Sequence, residues 1–331
     1  MKEKTMSDHW SDYNLNGCIF ESDPAPAPML AAPKINLPQQ IDLRKFCSPI
    51  EDQKKTSSCV ANAVVGALEF HQIKNGLPLT DLSRLFVYYN ARAMAGMQNK
   101  DSGSQIHHGM AAILAHGACE ARMWPFQEAM LTKQPTRACY QNASHYEAVQ
   151  YARTPRGMPA LAALAQGLPV VFGIFCPMDY YKGAHQNGVM PRPDQIQPTQ
   201  PPSGHAMLIV GYDLTDKTYL IRNSWGTGFA DGGYFKMPFE TMDRWSPTEA
   251  FWTIGAIEKI KGFSMTGPSV AESLQALGAF DIQQAADEFI PDAPISDGNY
   301  LDELRADLRS TLSSELETAK RDFRDRLRGK K

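Results

Sequence analysis

Residues 59–76 read CVANAVVGALEFHQIKNG. Small and apolar side chains recur at helical spacing and a glycine follows them, so the stretch predicts a buried helix that opens at Cys59 and ends at Gly76. Working outward, LSRLFVYYNARAMA predicts a second helix capped by Thr80 or Asp81, and IHHGMAAILAHG a third, stopped by Gly117. From Leu168 onward the character changes. LPVVFGIFC, HAMLIVGYD, KTYLIRNSW, GGYFKMP and FWTIGAIE are short runs rich in Val, Ile, Phe and Tyr, separated by Gly, Asp and Pro. A helical amino-terminal half followed by an antiparallel sheet is an α+β arrangement.

Between two of these strands, GAHQNGVMPRPDQIQPTQPPSG predicts a long irregular loop just before His205, because prolines and glutamines bar regular structure. Residues 1–38 are polar and then proline-rich, which favours extended backbone and no core of their own. Past Lys261 the chain turns polar and helical again. Leu301, Leu304, Leu308, Leu312 and Leu316 form a stripe there, and Glu317 stands four residues before Arg321. No internal repeat is present.

The chain has 331 residues, 43% of them hydrophobic, and a net charge of -3. That composition supplies a core and excludes wholesale disorder, and the charge provides no global field for nucleic acid. Neither a secretory apolar run nor a stretch of membrane-spanning length occurs. The expectation is a soluble protein, either cytoplasmic or exported without a cleavable amino-terminal signal. With Cys59 set aside, the remaining five cysteines cannot all pair internally. Cys18, Cys47, Cys119, Cys139 and Cys176 read mainly as thiols, with Cys119 and Cys139 able to bridge in an oxidising compartment.

A thiol is a useful nucleophile near neutral pH only when its anion is stabilised, by a helix amino terminus or by a neighbouring imidazolium. Cys59 opens the first helix, and a strand from the second half can bring His205 beside it. The histidine needs an acceptor on its other nitrogen, and Asn223 on the next strand supplies one without a competing charge. Trp225 and Gly226 then suit a cover and a tight turn. Acyl transfer also builds negative charge on a carbonyl oxygen, for which the Gln53 side chain and the Cys59 amide are the candidate donors. His107 and His108 lack the spacing that puts two ligands on one helical face. They read as surface positions, and neither metal nor cofactor is expected.

IDLRKFCSPIEDQKKTSSCVANA, SGHAMLIVGYD and YLIRNSWGTGFADGGYFKMP together resemble the papain-like cysteine peptidases, and CVANA and FVYYNAR resemble their bacterial branch. The resemblance covers roughly residues 40–260. It implies a two-domain fold, helical on the left and a sheet or barrel on the right, with an active cleft between them. It also implies Cys59, His205 and Asn223 as catalytic residues, Gln53 in the oxyanion hole, Trp225 shielding Asn223, and Gly103 in DSGSQ offering backbone to an extended peptide substrate. The chain departs from the family in having Val60 in place of the usual aromatic after the nucleophile, and Thr56 in place of a cysteine that forms a common disulfide. The expected organisation is a possible inhibitory arm over 1–38, a peptidase domain over 39–261 and a helical extension over 262–331. A non-catalytic binding module of this fold and a cysteine-dependent acyl or amide transferase remain open alternatives.

Overall fold

The computed structural model describes residues 10, 13–20, 27–30, 36–146, 148–257 and 265–266. The leucine stripe lies outside them. Apart from Ala27, the described residues belong to one compact unit, Met1–Pro24 and Pro28–Gly267. In chain order its elements are β1 (Met29–Leu30), β2 (Gln40–Asp42), α1 (Cys59–Lys74), α2 (Arg84–Ala93), α3 (Ile106–Ala115) and α4 (Arg137–Ala143). They continue as β3 (Ala148–Arg153), α5 (Met158–Ala165), β4 (Val170–Pro177), α6 (Met178–Asn187), β5 (Pro202–Asp213), β6 (Thr218–Arg222), β7 (Tyr234–Pro238), α7 (Phe239–Trp245), β8 (Phe251–Ile257) and β9 (Met265–Thr266).

Every residue of α1 from Cys59 to Gln72 is buried, as expected of a helix that is apolar on most faces. Burial of Val60, Val64, Leu68 and Phe70 contributes about 1.5–3 kcal/mol each. Two of the polar residues among them are paired across the fold. Asn62 donates to the Ser58 carbonyl and accepts from Arg84, and Glu69 accepts from the Leu82 amide at 2.9 Å. Gly76 closes the helix at φ 73°. The second helix starts later than predicted, because Ser83 and not Thr80 or Asp81 is the cap: its hydroxyl accepts from the Phe86 amide at 3.1 Å.

The sheet among the described residues runs β7-β6-β5-β4-β8-β3-β1-β9, with β2 added along β5. It is open rather than closed, and every pair is antiparallel except β1 with β3. The loop expected from Gly183 begins later. α6 runs to Asn187 and ends in Gly188 at φ 69°, so the prolines beyond it, not Gly183, break the structure. His107 is buried rather than at the surface, because α3 turns that side inward, and His108 is partly covered. Burial lowers their pKa values to about 3 and about 4. The six cysteines are free thiols, with Cys119 and Cys139 in hydrogen-bond contact.

Arg222 at the end of β6 fixes the sheet to the segment that leads into the site. Buried, it donates to the Ser48 carbonyl at 3.2 Å, the Ser48 hydroxyl at 3.1 Å and the Pro49 carbonyl at 2.7 Å. Gly66 of α1 makes room for it, since a Cβ there would collide with the guanidinium. Arg222→Met is expected to cost about 3 kcal/mol, because it leaves buried acceptors unpaired. The check is a lower urea midpoint at unchanged slope, and an unchanged midpoint would refute it.

Candidate active site

Cys59 begins α1, where the first-turn amides lack helical partners. Its sulfur faces the amides of Cys59, Val60 and Ala206, so strand β5 lies directly against the helix head. The thiol is fully buried, and burial pushes its pKa up to about 12 despite those donors.

His205 neighbours Ala206 on β5, opposite Ile174 of β4. Its Nε2 is 2.9 Å from Asn223 Oδ1, which also accepts from the Ser224 amide at 2.9 Å. Asn223 stands just past β6 and not within a strand as expected, because its own amide turns to the Gly233 carbonyl. Trp225 stacks on the imidazole with centroids 4.9 Å apart, and Tyr181 meets the ring edge-on at 5.8 Å. Among the described residues, His205 Nδ1 has no hydrogen-bond partner although it is buried. Burial lowers the imidazole pKa to about 4, while the Asn223 bond acts in the opposite direction.

Gln53 is buried six residues before Cys59. Its Oε1 accepts from Ser224 Oγ at 2.6 Å, and its Nε2 donates to the Thr56 carbonyl at 3.0 Å. The Gln53 amide reaches the Ser224 carbonyl and the Gly226 amide reaches Glu51, so residues 51–53 are stitched to 224–226. Gln53, Cys59, His205, Asn223 and Trp225 thus gather in one place.

Residues 13–20 lie across this place. Tyr13 stacks on the face of Trp225 at 4.6 Å, and the Asn14 carbonyl accepts from Gln53 Nε2 at 3.3 Å. Asn14 Nδ2 donates to Ser57 Oγ at 2.9 Å and to the Lys55 carbonyl at 3.1 Å. Gly17 passes so close to the thiol that a Cβ on it would sit 2.6 Å from Cys59 Sγ. The Ser104 amide donates to the Gly17 carbonyl and the Ile19 amide to the Ser104 carbonyl, both at 3.0 Å, while the Cys18 amide donates to Gly204 at 3.1 Å. Gly103, at φ 77°, is what lets the segment approach, since a Cβ there would stand 2.6 Å from the Gly17 carbonyl. The backbone pairing with the segment falls on Ser104, one residue after Gly103.

Sequence reasoning missed Ser224, Ala206, Asp101 and Tyr88. Asp101 accepts from the Ser57 amide with both oxygens, at 3.0 and 3.1 Å, and Tyr88 Oη accepts from the Gly103 amide at 2.9 Å. No local signal marks them, because each acts across the fold.

A helix-headed thiol packed against a sheet that carries a histidine, with an asparagine just past the neighbouring strand, defines a class of α+β hydrolases with a cysteine at the centre. The family model described as papain family cysteine protease matches residues 37–246, and the chain belongs to that family. It is a cysteine peptidase, a hydrolase. It is 33% identical over 233 residues to an uncharacterized peptidase C1-like protein of Acanthamoeba polyphaga mimivirus, spanning 64% of this chain and 73% of that one. Peptidase 1 of Dermatophagoides farinae is 28% identical, with 60% of each chain covered. Among solved structures, xylellain, a cysteine protease from Xylella fastidiosa, superposes with TM-score 0.64 at 30% identity, covering 75% of this chain and 97% of that one. Digestive procathepsin L 3 of Tenebrio molitor shares the fold at TM-score 0.55 and 19% identity, covering 73% and 74%.

Proposed function

We propose that the chain is an endopeptidase that cleaves peptide bonds through Cys59, His205 and Asn223, and that residues within the amino-terminal arm hold it latent. The observation that carries this reading is the Asn223-bound His205, whose other nitrogen has no partner among the described residues, next to Ala206, whose amide faces the Cys59 sulfur. The Cys59 thiolate attacks the scissile carbonyl. Gln53 Nε2 and the Cys59 amide meet the charge on oxygen, His205 protonates the leaving amine, and water cleaves the thioester. The Asn14 carbonyl on Gln53 Nε2 and Gly17 over the sulfur support latency, because they occupy the oxyanion donor and the path of attack. The peptidase domain is assigned to 39–261, the arm to 1–38 and an extension to 262–331. Placement in the bacterial branch is supported by the Xylella fastidiosa structure.

The test is a thiol-directed epoxide inhibitor. Modification at Cys59 alone, lost in Cys59→Ala and much reduced in His205→Ala, supports the reading, whereas labelling indifferent to His205 rejects it.

Latency on this reading is linked to pH. Under the arm His205 takes up a proton only near pH 4, against about 6.5 for an ordinary imidazole. A depressed pKa means that closure is fully favoured above about 6.5 and loses stability as pH falls toward 4, by up to about 3 kcal/mol. Cys59, raised to about 12, makes closure weaken at the alkaline end too, as pH rises above the ordinary thiol range. The labelling rate of the full chain, divided by that of a chain lacking residues 1–20, is expected to climb between pH 7 and 4.5. A flat ratio would refute the linkage.

A further inference from the structure

The arm carries a thiol of its own into the site. Cys18 follows Gly17, whose backbone lies against the Cys59 sulfur, and its own sulfur stands 3.0 Å from where a Cβ on Gly173 would be. Gly173 is paired with Ala206 across β4 and β5, and Ala206 is the residue whose amide faces Cys59 Sγ. Paired residues on neighbouring antiparallel strands are about 4.5–5.5 Å apart, so the two sulfurs flank a single residue pair. Both thiols are buried, at 5% and 0% exposure, and burial first, then the nearby Cys59 charge, opposes ionisation of Cys18. Tyr181 feels the charges of Cys59, Cys18 and also Cys176, which places a third thiol in the neighbourhood.

Resting on the reading of Cys59 as the nucleophile, we propose that Cys18 is a resolving thiol that closes a disulfide onto Cys59 after a peroxide has oxidised it. With the arm out of the cleft, the Cys59 thiolate attacks one oxygen of hydrogen peroxide and the O–O bond breaks, giving a sulfenic acid and, after protonation, one water. When the arm returns, Cys18 sulfur attacks the sulfenic sulfur. The S–O bond breaks, the S–S bond forms, and the oxygen leaves as a second water with the Cys18 proton. Formation requires the arm to shift until the two Cα atoms stand within the roughly 4.4–6.8 Å that a disulfide spans. The outcome is a covalently closed cleft that a thiol reductant reopens. It protects Cys59 from the irreversible sulfinic and sulfonic states.

Tryptic peptides separate the possibilities, since residues 5–34 contain only Cys18, residues 56–74 only Cys59 and residues 157–182 only Cys176. The full chain is exposed to hydrogen peroxide, free thiols are blocked with iodoacetamide, and non-reduced digests are read by mass spectrometry. The expected product joins 5–34 to 56–74, two hydrogens lighter than their sum, with peptide hydrolysis lost and then recovered on reduction. In Cys18→Ala the same exposure leaves sulfinic or sulfonic acid on Cys59 and no recovery. A Cys59–Cys176 link, a Cys59 oxidised beyond the sulfenic state in the wild-type chain, or a Cys59 left unmodified overturns the proposal without any need for the variant. Epoxide labelling of untreated protein, in the full chain and in one lacking residues 1–20, separates the two failures. If Cys59 is labelled but never linked, only the resolving role of Cys18 fails. If Cys59 is not labelled in either, the nucleophile assignment fails with it.

Discussion

Cys59→Ala is expected to lower kcat/KM for peptide hydrolysis by about 10⁴-fold or more, and His205→Ala to lower it by a comparable factor. The double variant should be little worse than either single one, because a nucleophile and the base that ionises it act as a unit. This non-additivity is the informative part, since losses that simply multiplied would mean that His205 works apart from Cys59. Both side chains are fully buried, so each substitution also risks stability, and the rate must be compared at matched folded fraction. Asn223→Ala should cost less, on the order of 10–100-fold, by releasing the imidazole that Asn223 holds through a 2.9 Å contact. Gln53→Glu removes the donor and keeps the shape, and is expected to cost about 100-fold, mostly in kcat. Hydrolysis that persisted at wild-type rate in Cys59→Ala would remove the thiol from the mechanism.

Much of this arrangement was legible because its determinants are local. The helix headed by Cys59 is apolar on nearly every side and closes at Gly76, so its period and its stop are both written in consecutive residues. The five strands expected after Leu168 also appear, since short β-branched and aromatic runs between glycines have few alternatives. The cap of α2 shifted to Ser83 because several capping residues stand in a row, and only the Phe86 amide chooses among them. The end of α6 hid in the proline-rich stretch because its residues from Gly183 to Asn187 come before the first proline there, Pro191. His107 looked like a surface residue because adjacency says nothing about which side of a helix meets the core.

The site divides in the same way. Gln53, Cys59, His205 and Asn223 stand in motifs, but Ser224 matters through a hydroxyl bond to Gln53, 171 residues away in sequence, which no local pattern encodes. Composition indicated that the arm was extended and free to lie in the cleft. Only the fold assigns the contact to Gly17, where the missing Cβ permits approach to the sulfur.

Deleting residues 1–20 is therefore the sharp test of latency, and it should raise the peptidase rate of the full chain on the order of 100-fold at neutral pH. Net docking of roughly 3 kcal/mol leaves only about 1% of molecules open, and removing it releases the rest. The cut belongs after Phe20 and not after residue 38, because Met29 and Leu30 form β1, which pairs with β3 and β9. A chain starting at residue 39 would confuse lost sheet structure with lost inhibition. Gly17→Ala in the full chain is the milder counterpart. Its Cβ would fall 2.6 Å from Cys59 Sγ and 2.7 Å from the Ser57 carbonyl, so the arm must lift while the peptidase domain is untouched. About a tenfold gain is expected, with the thermal midpoint of the domain little changed. Both variants should also bring the Cys59 thiol down from about 12, because the burial that raises it comes in part from the arm, and a thiol-specific titration would register the change. If deletion of residues 1–20 left both the rate and that titration where they were, the segment would be a structural strap and the latency reading would fall.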